Sequence, residues 1–84
     1  MTKEEKFLNE CKNSGKFNDW QMWGINYGFK RGFTIEQVKL YANPNYSWDM
    51  VYQIQKLISL DYTVEEIKKI IDKDQLEFFA SLVG

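Results

Sequence analysis

Acid–base and metal chemistry rest mainly on histidine, cysteine and carboxylates. This sequence holds no histidine and one cysteine, Cys11. Without an imidazole, Cys11 lacks the partner that would draw off its proton. Its place on an apolar stripe with Phe7 marks it as a small buried hydrophobe. A lone cysteine forms no internal disulfide, which fits a reducing cytoplasm. The carboxylates Glu4, Glu5, Asp19, Glu36, Asp49, Glu65 and Glu66 fall where helices begin, and there negative charge complements the helix dipole. Asp72-Lys-Asp74 lacks the central glycine and distal glutamate of a calcium loop. Gly24, Gly28 and Gly32 recur every fourth residue, which stripes a helix and does not build a phosphate-cradling loop. These features predict a non-enzyme that uses no metal and no cofactor.

What remains is ring surface: six Phe, five Tyr and three Trp in 84 residues. On a helical wheel Met22, Ile25 and Phe29 point together, while Trp20, Trp23, Tyr27 and Arg31 point the opposite way. Aromatic stripes at helical spacing are more often core than site, so the expected place for this second face is against Phe7, Leu8 and Cys11. The alternative is an exposed Trp/Tyr/Arg surface, the residue types that dominate binding hot spots. Lys12, Lys16, Lys30 and Arg31 form a possible basic cluster beside it. That arrangement suits single-stranded nucleic acid, with stacking on rings and contacts to phosphates. The candidate partner-binding residues are therefore Trp20, Trp23, Tyr27, Lys30 and Arg31.

The elements that must carry this face are announced by their caps. Shifting the chain by 29 residues lays Gly32-Phe-Thr-Ile-Glu-Gln-Val-Lys39 on Asp61-Tyr-Thr-Val-Glu-Glu-Ile-Lys68. The same shift lays Phe17 on Tyr46, Met22 on Val51, Ile25 on Ile54 and Phe29 on Ile58. What repeats is a helix-start device: a small polar N-cap, Glu or Gln three residues on, and a flanking apolar pair. Asn18 with Gln21, Thr34 with Gln37 and Thr63 with Glu66 make such boxes, bracketed by Phe17/Met22, Phe33/Val38 and Tyr62/Ile67. Ser47 is a fourth N-cap between Tyr46 and Val51, but Met50 leaves its box incomplete. Thr2 with Glu5 and Asp74 with Glu77 suggest two further starts. Gly15 and Gly32 suit left-handed stops, and Pro44 ends the third segment.

The reading is all-α: six short helices over 3–13, 19–31, 35–42, 48–60, 64–72 and 75–83. Each is too short to persist alone, so they must stack, as three helical-hairpin repeats of about 29 residues in a single domain, 1–84. No stretch alternates as a strand does. The longest uncharged run of note, residues 20–29, is half the roughly 20 residues a transmembrane helix needs. The N-terminus lacks the apolar run of a signal peptide, so a cytoplasmic protein is expected.

The pattern Gln21-Met22-x-x-Ile25-x-x-Gly28-Phe-x-x-Gly32-Phe, then Tyr41-Ala-Asn-Pro44-x-Tyr46-x-Trp48-Asp-Met50, resembles a family of short tandem repeats. In that family a QM-x-x-I-x-x-G-L helix alternates with a Y-A-x-P-x-F-x-W-x-QM linker. Such repeats are common in proteins of phages, plasmids and conjugative transposons of Gram-positive bacteria. The likeness covers residues 17–58, with a weaker echo through 84 that has lost the Tyr-Ala-x-Pro signature. Asp49 stands where the family has Gln. The resemblance implies an origin on a mobile genetic element and brings no established activity.

Eleven basic against twelve acidic side chains, a net charge of −1 and a single arginine argue against a polybasic nucleic-acid binder. The function expected is a non-catalytic protein-binding module encoded by a mobile element. It would act by occupying a host or element-encoded protein, such as a defence nuclease complex. The competing expectation is a single-stranded nucleic-acid-associated protein. A monomer or weak dimer is expected, with Phe78, Phe79, Leu82 and Val83 as the natural dimer edge.

Overall fold

The computed structural model describes residues 2–76 and 78. Within them the elements are all α-helices, α1 (Lys3–Ser14), α2 (Asp19–Lys30), α3 (Ile35–Lys39), α4 (Trp48–Ser59) and α5 (Val64–Asp72). The sixth segment expected over 75–83 lies for the most part outside the described residues, as does the proposed dimer edge apart from Phe78. Among the described residues no helix is long and apolar enough to cross a membrane.

Each of these five helices starts at a side-chain cap. Thr2, Asn18, Thr34, Ser47 and Thr63 are all extended, and each accepts from the backbone N–H three residues on. Four of the boxes are reciprocal. Glu5, Gln21, Gln37 and Glu66 each accept the N-cap's own N–H, at 3.3, 2.9, 2.9 and 2.9 Å. These bonds hold the Glu66 carboxyl below its ordinary range. Each closed box satisfies donors that a helix N-terminus otherwise leaves orphaned, and losing such a cap costs about 1 kcal/mol.

The stops are as regular as the starts. Gly32 (φ 91) lets its N–H reach the Phe29 carbonyl while the Phe33 N–H reaches back to Gly28. Asp61 (φ 67) repeats this with Ile58, and Tyr62 with Leu57. Asp74 (φ 55) does so with Ile71, and Gln75 with Ile70. These paired bonds are the Schellman closure. Asp74 therefore closes α5 in a left-handed conformation and is not the extended N-cap that its spacing to Glu77 suggests. Gly15 (φ 69) ends α1, where the Ser14 hydroxyl donates to the Cys11 carbonyl.

α3 is shorter than the expected 35–42. After Lys39 the chain tightens: Leu40 and Tyr41 donate three residues back, to Gln37 and Val38. This tighter pitch turns Leu40 and Tyr41 inward together, and both are buried.

Ile25, Val38, Val51, Ile54, Leu57 and Ile67 fill the centre of the core. α1 lies antiparallel along α2, with Phe7 edge-on to Phe29 at 6.1 Å and the Lys39 ammonium 5.9 Å from the Phe7 ring. Cys11 is buried beneath, and burial pushes its thiol up, away from the nucleophilic thiolate. α2 and α4 run parallel: Trp20 meets Trp48, and a Cβ on Gly24 would touch Gln55 and Val51.

The segment between α3 and α4 hangs from α2. Tyr41 threads its ring along the glycine stripe and donates its hydroxyl to the Gly24 carbonyl at 2.8 Å. A Cβ at Gly28 would collide with that hydroxyl and lie 3.0 Å from the Phe33 ring. The buried Gln21 amide donates to the Pro44 carbonyl at 3.1 Å while its oxygen holds the Asn18 cap. In the 29-residue register, Gly28 and Tyr41 correspond to Leu57 and Ile70, both buried. The second unit fills with two aliphatic side chains what the first fills with a ring and a bare backbone.

Gly28→Leu alone is expected to cost about 3 kcal/mol through overpacking. The double variant Gly28→Leu/Tyr41→Ile copies the second unit. It should lose at least about 1 kcal/mol less than the sum of its single variants, read from urea melts. Burial also pushes the Tyr41 phenol up from 10.0 to about 12. Its contribution to stability is therefore complete below about pH 10 and is lost as pH rises through about 12. Melting temperature should fall over that interval in the native chain and fall less in Tyr41→Phe.

Candidate functional site

The second face of α2 is exposed, contrary to the packing expected from its spacing. Trp23 is 57% and Tyr27 36% accessible, whereas Trp20 is half-buried. The reason is where α1 packs. It packs over Phe29 and reaches α3, so Phe7 and Cys11 bury the flank of α2 and leave its outer ridge open. Leu8 and Trp23 instead line opposite sides of a shallow groove of about 410 Å³ between α1 and α2.

Along the ridge the side chains form a ladder. Trp23 stacks on Tyr27, one turn on, with centroids 4.9 Å apart and planes 11° from parallel. The Arg31 guanidinium lies 5.7 Å from both the Tyr27 and Phe33 rings, and its Nη1 is 3.5 Å from the Tyr27 hydroxyl. Stacking and cation–π contacts of this kind contribute about 0.5–1.5 kcal/mol each, enough to restrict the rotors at an exposed site.

α4 continues the surface. Trp48 packs edge-on to Trp20 at 5.5 Å and is 49% accessible, and Tyr52, 55% accessible, stands one turn further along. Tyr27 and Arg31 face Tyr52, Gln55, Lys56 and Ser59 across a groove of about 250 Å³. The site is thus a strip of five rings over two parallel helices, with Arg31 and Lys56 toward one end.

Of the residues singled out from sequence, Trp20, Trp23, Tyr27 and Arg31 come together. Lys30 is exposed in the last turn of α2. The expected basic cluster is not assembled. Because α1 is antiparallel to α2, Lys12 sits beside Asp19 and Met22, with Lys16 beyond it, at the end of α2 opposite Lys30 and Arg31. Trp48, Tyr52 and Lys56 were not anticipated as site residues. The repeat register held the signal for two of them, since it lays Trp23 on Tyr52 and Tyr27 on Lys56. Trp48 aligns with Asp19 and had no such signal.

Among the described residues no group of three histidine, cysteine or carboxylate side chains is placed to hold a metal ion. No protein-family model, curated protein or solved structure matches the chain.

Because Trp23 lies outside the core, Trp23→Ala should change unfolding free energy by about 1 kcal/mol or less, against about 2–5 kcal/mol for the buried Ile25→Ala. Iodide quenching of tryptophan fluorescence should fall in Trp23→Phe, since that indole is among the accessible ones.

Proposed function

We propose that the protein is a non-catalytic binding module whose partner is another protein, docked on the α2–α4 strip. The exposed ring ladder, pinned by stacking and continued across two helices, is the observation that carries this reading. Monomeric proteins rarely leave large rings contiguous and exposed, because their burial by a partner is worth about 25 cal/mol per Å² of apolar surface. Rings already fixed in place also lose little further freedom on binding.

On this proposal the helices form three successive hairpin units, with residues 75–83 completing the last. The likeness of residues 17–58 to repeats carried by phages and plasmids supports an origin on a mobile element. A small element-encoded cytoplasmic protein of this kind would act by occupying a host protein, a defence nuclease complex being one candidate. The alternative, a single-stranded nucleic-acid binder, keeps the rings but loses the four-residue basic cluster on which it depended.

Tagged wild type and Trp23→Ala/Tyr52→Ala, both verified as folded by circular dichroism, should differ in what they retain from a host lysate. A specific partner should be captured by the first and depleted at least about tenfold in the second, the loss of roughly 1.4 kcal/mol. Equal capture would remove the strip as the site.

A further inference from the structure

The cations of the strip are gathered at one end. Because α2 and α4 are parallel, their last turns lie together and bring Arg31 and Lys56 into one groove, whereas Asp19 and Asp49, in the first turns, line other grooves, Asp19 beside Lys12 and Asp49 beside Ile71 and Asp74. Between the ends run the rings. Among the described residues, the groove beside Arg31 is lined by two tyrosines, two cations, Gln55 and Ser59, and by no carboxylate. Resting on the reading of this face as a partner surface, we propose that the groove takes an extended peptide segment. Its carboxylates meet Arg31 and Lys56, and its apolar side chains lie between Tyr27 and Tyr52.

The geometry favours this occupant on three counts. Arg31 is held between the Tyr27 and Phe33 rings, so its planar fork is presented without much loss of rotor freedom, and that fork matches a carboxylate in two parallel hydrogen bonds. A helix of 12 residues is about 18 Å long, which an extended chain covers with about five or six residues at roughly 3.3 Å each. A segment of that length can place acidic groups at the cationic end and neutral ones along the rings. A nucleic-acid strand cannot make that distinction. It carries a phosphate at every nucleotide, and beyond the groove those phosphates would meet rings in place of cations, on a protein whose net charge is already −1.

The test is fluorescence anisotropy with the full chain and three labelled probes. Two are octapeptides sharing a proline- and tryptophan-containing core, one ending in paired aspartates and the other in paired lysines. The third is an oligothymidylate. The acidic peptide should bind at least about tenfold tighter than the basic one. Arg31→Gln/Lys56→Gln should abolish that preference with an unchanged circular-dichroism melt. No difference between the two peptides, or tighter binding of the oligothymidylate that the same variant loses, would overturn the assignment. Lysate capture separates this inference from the reading beneath it. If Trp23→Ala/Tyr52→Ala loses the partner while Arg31→Gln/Lys56→Gln retains it, the strip stands and the anionic occupant falls. If both retain it, the strip itself falls.

Discussion

The Tyr41 hydroxyl, set against the bare backbone of α2, is the contact on which the arrangement of the first four helices depends. It needs three things at once: no side chain at Gly28, an accepting carbonyl at Gly24, and a chain that tightens after Lys39 so that Tyr41 turns inward. Glycine inside a helix costs about 1 kcal/mol in intrinsic propensity, so two within α2 weaken it unless something fills the space they open. The ring does so, and brings with it the segment that delivers the chain to α4. Gln21 adds a second tether at Pro44. Together they place the start of α4 beside the start of α2, and this is why the two helices are parallel and why Trp20 meets Trp48.

The second unit shows what this device is for by doing without it. Under the 29-residue shift, Gln21, Gly28, Tyr41 and Pro44 become Met50, Leu57, Ile70 and Lys73. All four change together. Leu57 and Ile70 fill the hairpin with aliphatic carbon, and the glutamine that would tether a Pro44-like carbonyl is replaced by methionine. The open capping box at Ser47 follows from that exchange, because residue 50 has no oxygen to return to the N-cap N–H. Sequence elements that look like separate signatures, the glutamine before the helix and the tyrosine and proline after it, are two ends of one set of contacts.

How much of this was legible in the sequence depends on the range of the interaction. The five caps within the described residues were readable because donor and acceptor lie three residues apart, and the apolar faces of α4 and α5 because helical periodicity fixes them. Left-handed closure at Gly15 and Gly32 was readable from residue type, whereas Asp61 and Asp74 adopt it without glycine. Asp61 was marked only by its register with Gly32. The inward turn of Leu40 was not legible, since periodicity alone extends α3 to residue 42 and sets Leu40 off its apolar face. Exposure of Trp23 and Tyr27 was not legible either. The wheel establishes that they oppose Ile25, but whether α1 covers them depends on its packing over Phe29 and against α3, which no local pattern encodes.

The contrast between the two long helices bears on why the strip exists. Their inner positions match in type through the shift, Met22 with Val51, Ile25 with Ile54 and Phe29 with Ile58, because both must pack in one core. Their outer positions do not: Trp20 stands against Asp49, Trp23 against Tyr52, Tyr27 against Lys56 and Arg31 against Leu60. If folding required rings on the outer ridge, α4 would need them as α2 does, yet a lysine and an aspartate serve there in the same fold. The frame thus fixes where the ridge lies and leaves its chemistry free. Burying three indoles would stabilise so small a core, which can cover only about 60–65% of its unfolded surface. Instead Trp23 and Trp48 each leave about half of their surface in solvent, and a surface that folding does not demand is one that binding can use.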